Sequence, residues 1–313
     1  MPYEIKGLNE ECGVFGVFGT AEASHLTYFG LHSLQHRGQE GAGIVSCDGT
    51  QLLQFRNRGL LSEVFSNKED LERLTGTSAI GHVRYGTSGN NTLANVQPFL
   101  FHFHDGDVAL AHNGNLTNAK SLKKQLEDEG AIFQSTSDTE ILIHLIRKNQ
   151  QLSFIDALKK SLNEVHGGFA FLLLRKDCLI AALDPNGFRP LSIGQLDNGA
   201  YVIASETCAF DMIGAKFIRD VLPGELIIID QDGLHIDHFT HKTQLSICSM
   251  EYIYFSRPDS IIHGVTVHNA RKRMGRLLAR QAPVPADVDM VIGVPNSSLS
   301  AASGYAEESK LPY

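Results

Sequence analysis

CGVFGVFG, residues 12–19, follows eleven residues, MPYEIKGLNEE, that read by themselves as a frayed terminus, and its reading frames the rest of the chain. A cysteine is followed by small and apolar residues in a strand pattern, so the stretch reads as a core strand with a thiol at its leading end. A free thiol is most often a small buried hydrophobe. Here polar motifs further along supply what a cysteine nucleophile needs, and they move Cys12 from packing to chemistry.

Outward from that strand, 313 residues exceed the usual span of one domain, and 42% hydrophobic content is ample for a core. The formal net charge of -8, with no basic cluster, argues against a nucleic-acid partner. No apolar run reaches the roughly 18 residues of a membrane span. MPYEIKGLNEE lacks the basic and apolar regions of a secretory signal, so a cytoplasmic location is expected. Cys12, Cys47, Cys178, Cys208 and Cys248 are widely spaced with no CxxC, which indicates neither a disulfide framework nor a zinc knuckle.

The spacing predicts a helix over 21–35, with Leu26, Phe29, Leu31 and Leu34 facing inward. Strands over 42–47 and 51–57 are joined by a DGT turn into a hairpin expected beside the first strand. A strand opens 78–91 and ends in a polar glycine loop, and 97–103 with 105–115 form a second hairpin. Helices over 117–129, 138–149 and 154–165 follow. The pattern then returns to strands at 167–175, 178–183, 190–194, 201–205, 217–221, 225–230 and 234–239. Strands, helices, then strands imply packed sheets with helices outside, a layered α+β domain. Composition shifts near residue 240. Beyond it lie a helix over 268–281 with Met274, Leu277 and Leu278 on one side, a strand over 289–295, and a helix-like stretch over 297–309. No internal repeat or low-complexity segment is evident.

Seven motifs occur in order: CGVFG, LQHRGQEGAGI, HVRYGTSG, AHNGNLTN, TSDTE, DPNGFRPL and EYIYFSRPDS. Together they resemble the amidophosphoribosyltransferase family across essentially the whole chain, C-terminally truncated. The first, second and fourth alone would indicate only class II glutamine amidotransferases, which are N-terminal-nucleophile hydrolases. The resemblance implies a four-layer αββα sandwich over 12–240, a leader over 1–11 removed on maturation, and over 241–313 a linker with the incomplete start of an α/β phosphoribosyltransferase domain.

It also implies a mechanism. Cleavage between Glu11 and Cys12 makes the cysteine an N-terminus, and a free α-amine with a pKa of about 7.7 to 8.0 is a base beside a thiol of about 8.5. The thiolate attacks the glutamine carboxamide, ammonia leaves, and water hydrolyses the thioester to glutamate. By resemblance, the Asn113 side chain and the Gly114 N–H form the oxyanion hole, although Asn-Gly is also a routine turn signal. Arg84 is assigned to the substrate carboxylate and Asp138 to its ammonium, although SDTE also has the look of a helix cap. Thr87 assists binding. Arg37 joins the substrate-binding set in support of the cysteine end, with a structural salt bridge as the equal alternative. His36, His82 and His112 are read as packing or hydrogen-bonding residues.

In the family's second domain, channelled ammonia converts phosphoribosyl pyrophosphate, with magnesium, to phosphoribosylamine, the first step of purine biosynthesis. Two departures stand out: Asn296 replaces the family's usual aspartate, and the acidic-pair motif that binds this substrate is absent. Cys248 matches one ligand of a 4Fe–4S cluster in some members, whose other ligands this chain lacks. Cys47, Cys178 and Cys208 read as interior cysteines. Glutamine is the expected small-molecule partner and a homo-oligomer the expected assembly. The alternatives are an unprocessed, non-catalytic glutamine-binding module and a different class II amidotransferase.

Overall fold

The computed structural model describes residues 12–86 and 92–313. Its elements in chain order are β1 (Gly13–Phe18), α1 (Ala23–Ser33), β2 (Gly41–Cys47), β3 (Leu52–Arg58), α2 (Leu61–Val64), α3 (Lys68–Glu72), β4 (Ser78–Arg84), β5 (Phe99–Phe101) and β6 (Val108–Leu116). There follow α4 (Ala119–Asp128), α5 (Glu140–Lys148), α6 (Phe154–Glu164), β7 (Gly167–Leu174), β8 (Leu179–Leu183), β9 (Ser192–Gln195), β10 (Tyr201–Ala204), α7 (Cys208–Ile213), β11 (Lys216–Asp220), β12 (Glu225–Asp230) and β13 (Gly233–His238). The last portion holds a π-helical turn (Glu251–Phe255), a short hairpin of β14 (Ile261–Ile262) and β15 (Val265–Thr266), then α8 (Val267–Gln281) and α9 (Leu299–Ser309).

Two antiparallel sheets stack. One has seven strands in the order β11-β9-β10-β1-β4-β2-β3 and the other six in the order β13-β12-β8-β7-β6-β5. The period-2 alternation of β1 explains how it serves two layers. Val14 joins Val45, Ile80, Ala111, Leu172 and Leu179 between the sheets. Phe15 and Val17 point the other way, onto Leu31, Leu34 and Phe210 of the outer helical layer. The opposite outer layer is α4, α5 and α6, whose Leu126, Ile141, Leu145 and Leu158 cover Leu110, Phe169 and Phe171. This is the expected αββα sandwich.

Several local expectations are corrected. The β2–β3 hairpin does not lie beside β1, because β4 intervenes: β1 pairs with β4 (Gly13↔Val83) and β10 (Phe15↔Ala204), and β4 pairs in turn with β2 (Gly41↔Arg84). A tight turn fixes which strands make a hairpin but not what the hairpin docks on. On α1, Phe29 is 49% exposed while Thr27 and Gly30 are buried. The helix crosses β1 so closely that a Cβ on Gly30 would lie 2.3 Å from the Phe15 ring. α7 was not expected at all; its six residues are too few for helical periodicity to register.

Beyond 240 the chain first runs along the turn that follows β8. Gln244, Ser246 and Cys248 donate backbone N–H groups to the carbonyls of Pro185, Asn186 and Phe188. Met274, Leu277 and Leu278 prove exposed, and α8 buries Val267, Arg271, Gly275 and Ala279 instead. The cause is backbone proximity to α9: a Cβ on Gly275 would fall 1.8 Å from the Ala301 carbonyl oxygen, and one on Gly304 would fall 1.9 Å from that of Lys272. Segment 289–295 is not a strand. Among the described residues no strand pairs with it, and Met290, Ile292 and Val294 are 62%, 78% and 73% exposed. Among the described residues no helix is long and apolar enough to cross a membrane.

His82 of β4 is buried between the sheets, with Nε2 3.1 Å from the His112 carbonyl oxygen, and the His112 ring is buried on the other face of β6, stacked on Phe171 and 3.0 Å from Thr139 Oγ1. Burial first, then Arg84, pushes the His82 imidazole down to about 3; burial brings His112 to about 4 despite the attraction of Asp138. Both are therefore neutral when folded, while an unfolded imidazole titrates near 6.5. Between these values the unfolded chain binds more protons, so stability falls as pH drops through 6.5 and levels off once the folded-state values are passed. Urea unfolding at pH 7 and pH 5 should show a loss of about 2 kcal/mol per histidine, and His82→Gln should remove about half of that pH dependence. An unchanged slope in the variant would exclude His82 as a source.

Candidate active site

Cys12 stands at the entry to β1 and is only 8% exposed. Its Sγ lies 3.5 Å from the Tyr85 N–H nitrogen and 3.6 Å from the Tyr85 carbonyl oxygen, since β1–β4 pairing brings the end of β4 alongside it. Arg84, the last residue of β4, is 3% exposed, and its Nη1 donates to the Asn95 carbonyl at 3.0 Å. The His82–His112 contact between β4 and β6 brings this edge against the strand that carries Asn113 and Gly114.

Asn113 is wholly buried, and neither Oδ1 nor Nδ2 of its side chain has a hydrogen-bond partner among the described residues. An unmet buried amide costs about 1 to 3 kcal/mol, so such an arrangement persists where a ligand completes it. Gly114 follows at φ 148°, and a Cβ there would lie 2.1 Å from the Gly168 carbonyl oxygen. Only glycine fits.

Asp138 reaches the same strand. Its Oδ2 accepts the Leu116 N–H at 2.7 Å, and Oδ1 is 3.8 Å from His112 Nδ1. The carboxylate therefore does not cap α5. The acid of that first turn, Glu140, reaches back to the N–H groups of Gln134 and Ser135 and the Ser135 hydroxyl, at 2.8, 2.8 and 2.6 Å.

Two residues the sequence reading passed over hold this arrangement. Asn95 accepts from Thr136 N–H at 3.0 Å and donates to Thr136 Oγ1 at 2.8 Å, tying the carbonyl that holds Arg84 to the loop before Asp138. Gln97 accepts the His112 N–H at 2.7 Å and donates to Thr139 at 3.1 Å. Loop amides carry no motif of their own, so no sequence signal pointed to them.

Arg37 sits beneath Cys12, with no exposed side-chain surface. Its Nε donates to the Cys12 carbonyl at 3.0 Å, Nη1 to Glu206 at 2.6 Å and to Glu251 at 3.0 Å, and Nη2 to Glu251 at 2.9 Å. Burial alone would lower this guanidinium's pKa, but Glu251 and Glu206 outweigh it and hold the group above its ordinary value. Arg37 is thus enclosed beneath Cys12 and paired to two carboxylates, the arrangement of the salt-bridge alternative. Glu206 and Glu251 were missed; a lone glutamate in a strand–helix join or in EYIYF gives no periodic or motif signal. Thr87 lies outside the described residues.

Imidazole bases are not at hand: His82 and His112 are neutral and enclosed, and His36 Nε2 is 2.8 Å from Glu206 Oε1. Burial pushes the Cys47 and Cys208 thiols up, and that of Cys178 to about 12, as for packed interior cysteines. Among the described residues no three His, Cys, Asp or Glu side chains gather to hold a metal. Among the described residues, neither magnesium nor an iron–sulfur cluster on Cys248 thus finds a fitting donor set. A cavity of about 410 Å³ lies on the far side of Arg37, lined also by Tyr254, Ser256, Arg257, Arg271 and Asn296.

Residues 84–212 match the family profile described as Glutamine amidotransferase domain. The chain is 57% identical over 312 residues to an amidophosphoribosyltransferase of Staphylococcus aureus (strain Mu50 / ATCC 700699), covering 99% of this chain and 63% of the relative. It is 57% identical over 311 residues to that of Bacillus subtilis (strain 168), covering 99% and 64%. The solved glutamine phosphoribosylpyrophosphate amidotransferase from B. subtilis complexed with ADP and GMP superposes with a TM-score of 0.92 at 54% identity, over 96% of this chain and 65% of that one. A protein described as a glutamine aminotransferase class-II domain protein from Silicibacter pomeroyi, at 13% identity and a TM-score of 0.50, shares the fold over 73% of this chain and 100% of its own. The chain thus spans somewhat under two thirds of the length of the curated relatives it matches. Identity above half is sustained over 99% of this chain, so along the portion it spans the chain is similar to amidophosphoribosyltransferases.

Proposed function

We propose that this chain hydrolyses glutamine to glutamate and ammonia through Cys12, and that the observation carrying this reading is the buried, unpartnered Asn113 amide beside the Cys12 edge of the sandwich. Hydrolysis of the Glu11–Cys12 peptide bond frees an α-amine on the residue that bears the thiol. The amine takes the thiol proton as Sγ attacks the substrate carboxamide carbon, and it returns that proton to the departing ammonia. The oxyanion of each tetrahedral intermediate receives the Asn113 Nδ2–H and the Gly114 N–H, two donors that need no reorganisation when charge develops. Water then attacks the thioester, and glutamate leaves with the thiol restored.

Around that centre, Arg84 is the proposed partner of the glutamine α-carboxylate, with Thr87 assisting, and the Asp138 oxygen not engaged by Leu116 is the proposed partner of the α-ammonium. The proposed unit of this chemistry is 12–240, with 1–11 as its leader and 241–313 as the linker and opening of a phosphoribosyltransferase portion. For the whole protein, the family supports the use of the ammonia to convert phosphoribosyl pyrophosphate, with magnesium, to phosphoribosylamine. A cytoplasmic homo-oligomer is the proposed setting.

Intact mass of the purified protein should lack the eleven-residue leader, and Cys12→Ala should retain it and release no glutamate. Equal glutamate release by both proteins would overturn the cysteine mechanism. Asn113→Ala should lower kcat by about 100- to 1,000-fold with little change in KM, the cost of one oxyanion donor. Asp138→Asn should instead raise KM for glutamine by about tenfold or more, because it removes a charge that meets the ground-state ammonium. A change confined to kcat would take Asp138 out of substrate binding.

A further inference from the structure

Arg37 is held by two carboxylates, each with no exposed side-chain surface. Glu206, just after β10, accepts from Arg37 Nη1 at 2.6 Å, Ser260 Oγ at 2.6 Å and Arg257 N–H at 2.9 Å, and faces His36 Nε2 at 2.8 Å. Glu251, opening the π-helical turn, accepts from Arg37 Nη2 at 2.9 Å and Ser256 Oγ at 2.8 Å, and stands 3.6 Å from Arg189 Nη1. The two together engage both Nη atoms of Arg37, and its Nε holds the Cys12 carbonyl.

Withdrawing three charged groups from water costs several kcal/mol each, and an apolar cluster of similar volume would hold the elements together as well or better. What an apolar cluster would not do is aim a rigid N–H fork at one carbonyl. Fixing that carbonyl fixes the plane of the peptide after Cys12 and so the place of Cα, the atom from which both the thiol and the α-amine branch.

We propose that Glu206 and Glu251 are positioning residues for Cys12, acting through Arg37. The proposal rests on the glutaminase reading and extends it. Glu251 comes from the chain beyond 240, so the nucleophile is oriented by both portions of the molecule. The cage also sets the local potential. The charged and titratable groups facing it are Glu206, Glu251 and Arg37 within it, Arg189 and His36 at its rim, Arg257 on the 256–260 stretch, Arg271 of α8 and Cys208 of α7. Removing a carboxylate favours the Cys12 thiolate, and removing Arg189 disfavours it.

The test is the rate of Cys12 alkylation by iodoacetamide as a function of pH, read by mass spectrometry of the peptide bearing residue 12, alongside the thermal midpoint and glutamine kinetics. Glu251→Gln should lower the apparent pKa of alkylation by about half a unit or more, and Arg189→Gln should raise it. Arg37→Lys keeps the charge but loses the Nε donor, and should lower kcat for glutamate release with KM little changed. Profiles that overlay wild type while only the thermal midpoints fall would reduce the cage to a structural pin and overturn the proposal. Should Glu251→Gln fail to fold, Arg189→Gln carries the test with the opposite sign, its side chain being 13% exposed. Alkylation needs no turnover, so shifted profiles in a protein that releases no glutamate would sink the glutaminase reading and leave the positioning role standing.

Discussion

A guanidinium closed off from water stays in place only where its charge is met in full, and this constraint on Arg37 organises the molecule. Its partners come from distant parts of the chain: Cys12 before β1, Glu206 after β10, and Glu251 in the π-helical turn. No local folding unit can satisfy that demand alone. The stretch 251–260 must dock before the cage closes, and α8 then fastens it: Arg271 Nε donates to the Tyr252 carbonyl at 2.7 Å and Nη2 to the Ser256 carbonyl at 2.7 Å. The charge pattern thus performs the joining that an apolar interface performs elsewhere.

The sandwich supplies the other requirement, a rigid meeting of two sheet edges. Cys12 and Arg84 belong to one sheet, Asn113 and Gly114 to the other, and small residues keep the two close. Ala109, Ala111, Ala170 and Ala181 line the interior on one side, and a Cβ on Gly16 would already press on Leu172 and Leu179 at 3.2 to 3.3 Å. Close sheets let His82 reach the His112 carbonyl, and that contact aligns the edges from which the candidate site is assembled.

Much of this was legible beforehand because it rests on local patterns. Period-2 runs such as 167–174 and 179–183 announce strands, and apolar recurrence at 141, 142, 145 and 146 announces a helix. Of the motif residues, Cys12 lies against Tyr85, the neighbour of Arg84, and Asp138 bonds the N–H of Leu116 on the strand that carries Asn113. What escaped was set by distance rather than by pattern. The insertion of β4 beside β1, the paired carboxylates under Arg37 and the amides of Asn95 and Gln97 all depend on contacts between remote segments. α8 shows the converse failure: its larger apolar residues suggested the buried face, whereas small residues permit a backbone approach that larger ones forbid.

The Asn113 amide has a consequence for how this protein tolerates change. An enclosed polar group with nothing to bond is a standing cost to the resting molecule, and an apolar residue of like volume would relieve it. Evolution under demand for ruggedness alone would erase that amide early. On the proposed oxyanion role of Asn113, robustness and competence pull in opposite directions at this amide. Thermostabilised descendants of this chain chosen without regard to chemistry would tend to be silent ones.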